Sequence, residues 1–148
     1  DLERKEIFSI AQTDYVLVEF RTSSEYDKIR NALRSFQERG YKPILAHVER
    51  YMSLLSFDIL HELKELGIVI QMNTESFVGN LFHKESRFCI RAAKLGLVDI
   101  LGSDCHDLKY RAPMMQKAIS KLEKALTSEE LGKILFDNPK ALLQNKYL

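Results

Sequence analysis

Short runs of aliphatic residues alternate with stretches whose apolar residues recur at helical spacing, and this alternation limits the chain to few architectures. Tyr15-Val-Leu-Val-Glu-Phe20 reads as a buried strand. Ser23 or Ser24 is placed to cap a helix whose stripe is Tyr26, Ile29, Leu33 and Phe36, closed by Gly40. Lys42-Pro-Ile-Leu-Ala-His47 gives the second strand. Phe57, Leu60, Leu63 and Leu66 mark the next helix, closed by Gly67. Ile68-Val-Ile-Gln-Met72 is the third strand, and Asn73 to Gly79 reads as a polar loop. A helix through Phe88, Cys89, Ala92 and Leu95 stops at Gly96, and Val98-Asp-Ile-Leu-Gly-Ser103 is the fourth strand. Helical patterns follow over 113–126 and 128–136, then a short helix with Asn138 as cap and Pro139 at its first position. Strand and helix alternating at this spacing require parallel crossovers, hence an α/β fold. Four strands cannot close a βα barrel, which takes about 250 residues, so the sheet is either open or part of a barrel.

Composition excludes several classes. The 148 residues suit one domain, 1–148, with no linker or low-complexity tract. With 45% hydrophobic and 29% charged residues, the chain has ordinary globular composition. A net charge of +1 offers no electrostatic case for nucleic acid or membrane surfaces. No apolar run approaches the roughly 20 residues of a membrane span. Asp1-Leu2-Glu3-Arg4-Lys5 has neither an apolar signal core nor an initiator Met, as expected of a fragment or a processed chain. Two cysteines, Cys89 and Cys105, make no disulfide framework and suit a reducing cytoplasm.

The chemistry gathers where each strand ends. The first strand ends in Glu19, the second in His47 with Glu49 and Arg50 beyond it. The third runs into Gln71 and Asn73, and the fourth delivers Asp104 and His106. In parallel α/β folds these C-terminal strand ends form the ligand-binding face. Carboxylates with neutral imidazoles are the ligand set of zinc, manganese or iron. The Asp-x-His spacing sends two side chains from the same side of an extended segment. Taken singly, a strand-end glutamate is as readily just solvated, a lone histidine is more often a hydrogen-bonded core residue, and Asp104 can cap a turn. Their coincidence on one rim favours a metal site. His61, within a helix, and His83, without acidic partners in the sequence, read as surface histidines.

Cys105-His-Asp-Leu-Lys-Tyr-Arg111 also fits C-x5-R, the phosphate loop of cysteine-dependent phosphatases. That loop must wrap tightly around an anion and favours small residues, whereas these are bulky and Asp107 is acidic. The metal reading is therefore preferred.

With these residues in place, the chain resembles the PHP (polymerase and histidinol phosphatase) superfamily, and within it the bacterial manganese-dependent protein-tyrosine phosphatases of capsule and exopolysaccharide operons. The similarity lies in Tyr15–Phe20, in Gly40-Tyr-Lys-Pro-Ile-Leu-Ala-His-Val-Glu-Arg50, and in Gly102-Ser-Asp-Cys-His106 with Arg111. It implies a distorted parallel βα (TIM-like) barrel, of which this chain is the C-terminal portion with four strands. It implies Glu19, His47, Asp104 and His106 as ligands of a divalent metal cluster, manganese foremost, with iron or zinc as alternatives. It implies that Arg50 and Arg111 contact the phosphoryl group, which their planar forks suit. The other reading of Arg50 is an ion pair with a neighbouring carboxylate. The implied activity is hydrolysis of protein phosphotyrosine by metal-activated hydroxide, with a bacterial tyrosine kinase as a candidate substrate. The alternatives are a small-metabolite phosphatase, such as one for histidinol phosphate, or a non-catalytic binding domain of the same fold. Val48 stands where the family has proline, and Cys105 where it has alanine; neither change removes a ligand. The family's N-terminal His-x-His segment has no counterpart, so this stretch alone is expected to be inactive and, with an open sheet edge, to self-associate.

Overall fold

A computed structural model describes residues 9–79, 83–105 and 114–148. Four parallel strands, β1 (Tyr15–Val18), β2 (Lys42–Leu45), β3 (Val69–Asn73) and β4 (Ile100–Gly102), lie side by side in chain order. Tyr15 pairs with Lys42, Ile44 with Val69, and Gln71 with Ile100. Helices α1 (Tyr26–Glu38) and α2 (Phe57–Glu65) make the first two crossovers; α3 (Thr74–Val78) and α4 (Lys84–Lys94) make the third. Strands ordered as in the chain are a barrel trait, since a doubly wound sheet reverses order at a switch point. Among the described residues the sheet stays open, with β1 and β4 as its edges.

The helical stripes read from the sequence face the sheet, except for Leu95, which follows the end of α4 and is exposed. Ile29 and Leu33 of α1, Leu60 and Leu63 of α2, and Cys89 and Ala92 of α4 pack on Val16, Val18, Leu45, Ile70 and Met72. Gly40 and Gly67 close α1 and α2 with φ of +84° and +75°, a conformation in which a Cβ is strained. The opposite sheet face carries a smaller cluster of Tyr15, Ile44 and Val69 with Leu142. There Leu17, beside Ile44 in register, is 59% exposed.

Several expectations need correction. Asn73 to Gly79 is not a polar loop, because α3 occupies most of it and buries Thr74, Ser76 and Phe77. Polar composition hid a helix whose hydroxyls are turned inward. Neither Ser23 nor Ser24 caps α1. Glu25 precedes the helix without a side-chain cap, and the Ser24 carbonyl accepts from the Ser53 hydroxyl at 2.8 Å. Asn138 is likewise no cap, for its backbone is helical. The chain runs from α6 (Ser128–Gly132) through a π-helical turn (Lys133–Asp137) into α7 (Asn138–Leu143). The widened turn precedes Pro139, whose ring and missing N–H disturb the regular α-helical ladder. The Asn138 amide donates instead to the Asp99 carbonyl at 2.9 Å.

The C-terminal tail closes the rim where the strands begin. The Tyr15 hydroxyl donates to the Lys146 carbonyl at 2.7 Å, and Lys42 Nζ donates to the Asn145 carbonyl at 2.6 Å. Asp99, just before β4, accepts from the Ile70 amide at 2.8 Å and is ion-paired with Lys64. The remaining helix, α5 (Met115–Leu122), packs on α3. Among the described residues no helix is long and apolar enough to cross a membrane.

Candidate metal and phosphate site

At the other rim the strands end early and the chain turns. β2 stops at Leu45, and His47 takes a left-handed backbone, φ +36° and ψ 56°. Beyond β4, Asp104 does the same with φ +46°. Positive φ costs a side-chain-bearing residue of order 1–3 kcal/mol and persists only where surroundings enforce it. Here the surroundings are polar. The His47 N–H donates to Gln71 Oε1 at 2.7 Å, and the Gln71 amide donates to Asn73 Oδ1 at 3.0 Å. Gln71 fits because Gly102, which pairs with Asn73 on the neighbouring strand, has no side chain; a Cβ there would collide with the Gln71 amide.

Two pairs of side chains face each other on this rim. His47, only 5% exposed, has Nε2 2.8 Å from Glu19 Oε1 and its ring stacked on Tyr51. Arg50 Nη1 donates to Asp104 Oδ2 at 2.7 Å, and the Asn73 amide approaches the same oxygen at 3.4 Å. The ion pair is the structural alternative raised for Arg50, formed with one of the candidate ligands. It engages one nitrogen of a guanidinium with five N–H donors.

Beneath them lies Glu49, 4% exposed, whose Oε1 accepts from the Asn73 backbone N–H and the Ser76 hydroxyl, both at 2.9 Å. Burial pushes the Glu49 carboxyl above the usual range, opposed by those two donors and by Arg50. It ties the 3-10 turn Val48–Arg50 to the end of β3 and so sets the direction of Arg50. The Tyr51 hydroxyl accepts from the Phe20 N–H at 3.0 Å, and burial raises its pKa. The sequence offered a signal for some of this frame. Gln71 and Asn73 interrupt an otherwise apolar strand, and Glu49 sits between the two singled-out residues His47 and Arg50.

The structure thus brings Glu19, His47, Arg50 and Asp104 to one rim, while His106 and Arg111 lie outside the described residues. Cys89 is buried, and burial pushes its thiol far up, which leaves it inert; Cys105 is exposed. His61 and His83 are exposed, as expected.

The resemblance implies metal ions here, and the donor chemistry at Glu19 and His47 fits a divalent cation. A carboxylate oxygen and an imidazole nitrogen converge, and His47 Nδ1 is buried without a hydrogen-bond partner. Such an orphan costs about 1–3 kcal/mol, which a cation bonded to Nδ1 would offset, whereas one held at Nε2 beside Glu19 would leave Nδ1 without a partner. The number of donors falls short among the described residues, where no group of three or more His, Cys, Asp or Glu side chains gathers to hold an ion.

Fold and rim together define a class, an α/β chain of the PHP type with a polar site at its strand ends. A chain from the crystal structures of YwqE from Bacillus subtilis and CpsB from Streptococcus pneumoniae, described as metal-dependent tyrosine phosphatases, superposes with a TM-score of 0.83 at 28% identity. It covers 95% of this chain and 57% of the other. The family of capsular polysaccharide synthesis proteins CpsB/CapC matches residues 1–144, and the chain belongs to that family. Among its relatives are the tyrosine-protein phosphatase CpsB of Streptococcus pneumoniae, 28% identical over 99% of this chain and 63% of its own, and the tyrosine-protein phosphatase YwqE of Bacillus subtilis, 30% identical over 99% and 58%. A putative tyrosine-protein phosphatase, CapC of Staphylococcus aureus, is 29% identical over 98% and 57%. The chain spans about three-fifths of the length of these relatives.

Proposed function

We propose that the protein is a metal-dependent phosphomonoesterase acting on protein phosphotyrosine. The observation that carries this reading is the pairing, on one strand-end rim, of Glu19 with His47 and of Arg50 with Asp104. One pair offers cation ligands and the other a cation for phosphate. Glu19, His47, Asp104 and His106 would hold divalent metals, manganese first among them. When bound, such metals supply Lewis acidity and an activated water nucleophile at neutral pH. Arg50 binds the phosphoryl oxygens through guanidinium nitrogens not engaged by Asp104, and Arg111 is assigned the same task. Asp104 keeps the Arg50 fork in place before substrate arrives, so less orientation is lost on binding. Glu49, fixed by Asn73 and Ser76, holds the turn that presents Arg50. No thiol takes part.

The substrate assignment draws on the relatives named tyrosine-protein phosphatases, and a bacterial tyrosine kinase in the cytoplasm is the proposed source of phosphotyrosine. The experiment is hydrolysis of an aryl phosphate by the full-length protein. Chelator abolishes turnover and added manganese restores it, while Cys105→Ser retains most of the activity. A Cys105→Ser protein without activity, with chelator harmless to the wild type, would replace this reading with cysteine chemistry.

A further inference from the structure

Beside Arg50 opens a cavity of about 610 Å³ whose walls are largely apolar, which neither metal binding nor phosphate binding requires. Met52, Leu55 and Phe88 form the apolar part, and Lys84 stands among its lining. The volume lies in the range of about 300–1,000 Å³ typical of small-ligand sites. One wall is fixed, because the Phe88 ring stacks on Phe57 with centroids 5.0 Å apart. The other is open to solvent, with Met52 78% exposed in the 3-10 turn directly after Arg50. An unusually exposed methionine beside a held aromatic ring makes an adaptable apolar surface.

Arg50 also lines a second cavity of about 370 Å³, whose walls are polar and include Glu75 and Glu85. A phosphate dianion approaching Arg50 from that side meets two carboxylates and no apolar wall. The larger cavity also carries two carboxylates, Glu49 and Glu85, but there Lys84 joins Arg50 as a second cation, and an attached ring meets Met52, Leu55 and Phe88.

Resting on the phosphatase reading, we infer that this cavity is the subsite for the aromatic ring of phosphotyrosine, with the phosphoryl group directed to Arg50. It favours aryl over alkyl phosphomonoesters because the ring is buried against Met52, Leu55 and Phe88. The space beyond one ring admits the residues that flank phosphotyrosine in a polypeptide.

The test compares phosphotyrosine with glycerol 2-phosphate, which has the same charged group and no ring, using the full-length protein with its metals. The double variant Met52→Ser, Leu55→Ser removes apolar wall without adding charge, and both positions are exposed, so the core is untouched. It should raise KM for phosphotyrosine about tenfold, leaving kcat for both esters and KM for glycerol 2-phosphate near wild type. In equilibrium competition it should also abolish the preference of the wild type for phenyl phosphate over inorganic phosphate. An unchanged KM for phosphotyrosine, or an equal rise for both esters, overturns the subsite alone. Wild-type protein that hydrolyses neither ester overturns the phosphatase reading, and the subsite with it.

Discussion

Arg50 is where a structural and a catalytic role can be separated by one substitution. If it only neutralises Asp104, Arg50→Lys should serve almost as well, since a lysine supplies the same charge. If its fork grips phosphate, lysine fails. We expect Arg50→Ala to lower kcat/KM for an aryl phosphate by tenfold or more, from charge-assisted hydrogen bonds worth about 1.5–3 kcal/mol, with Arg50→Lys only partly restoring it. Metal content measured on the same samples should stay near wild type; loss of metal in step with activity would make the residue a support for Asp104. Gly102→Ala tests the frame around the site. An added Cβ collides with the Gln71 amide, which is not free to move because it holds the His47 N–H and Asn73. Overpacking of this kind costs about 1–3 kcal/mol, so thermal unfolding should shift modestly downward while activity falls more sharply. At this scale the sequence was readable for the residues that reach the rim, because strand ends declare them. It was not readable for which side chains hold which. The pairing of Glu49 with Asn73 and Ser76 spans more than twenty residues and depends on how β2 and β3 align.

Elements were legible wherever an apolar stripe or a closing glycine marked them. All four strands lie within or one residue beyond the runs read from the sequence, each shorter than its run except β3. α3 is not legible because its short stripe sits among polar residues whose side chains are buried, and polar content alone cannot distinguish a solvated loop from a buried polar helix. The last helix starts where the sequence places it, at Asn138 with Pro139 in the first turn, but a π-helical turn joins it to α6 without a break, so Asn138 is not a cap. The start of that helical run is set by Thr127, whose hydroxyl accepts from the Glu130 N–H while the Glu130 carboxylate accepts from the Thr127 N–H, a reciprocal capping box. Thr127→Ala should cost about 1 kcal/mol of stability, read as a lower denaturant midpoint at pH 7. The same contacts depress the Glu130 pKa, the Thr127 backbone N–H contributing most. Their stabilisation is therefore present above the ordinary carboxylate pKa and lost as pH falls through the lower folded value. The gap between wild type and Thr127→Ala should narrow in acid; a gap that widens there would contradict the capping assignment.

At the scale of the whole molecule, consecutive parallel strands made the α/β class evident from the sequence, while closure of the sheet was never legible because it depends on strands at both edges. The consequence is a prediction about this chain of 148 residues taken by itself. Among the described residues β1 forms a sheet edge, and Leu17 beside it stays 59% exposed on the face away from α1 and α2. An unpaired edge next to exposed apolar surface invites pairing with another chain. The ligand account points the same way. A catalytic metal takes about three protein ligands, and the described rim brings together one carboxylate and one imidazole at Glu19 and His47, with Asp104 engaged by Arg50. We therefore expect the 148-residue chain to bind manganese weakly, to turn over an aryl phosphate far more slowly than a longer form with the full length of its relatives, and to self-associate. Mass measurement in solution, metal analysis after gel filtration and a rate for each form decide the matter together. A monomer that retains stoichiometric metal and matches the longer form in rate would mean that residues 1–148 already hold a complete site, with His106 and its neighbours supplying what Glu19 and His47 lack.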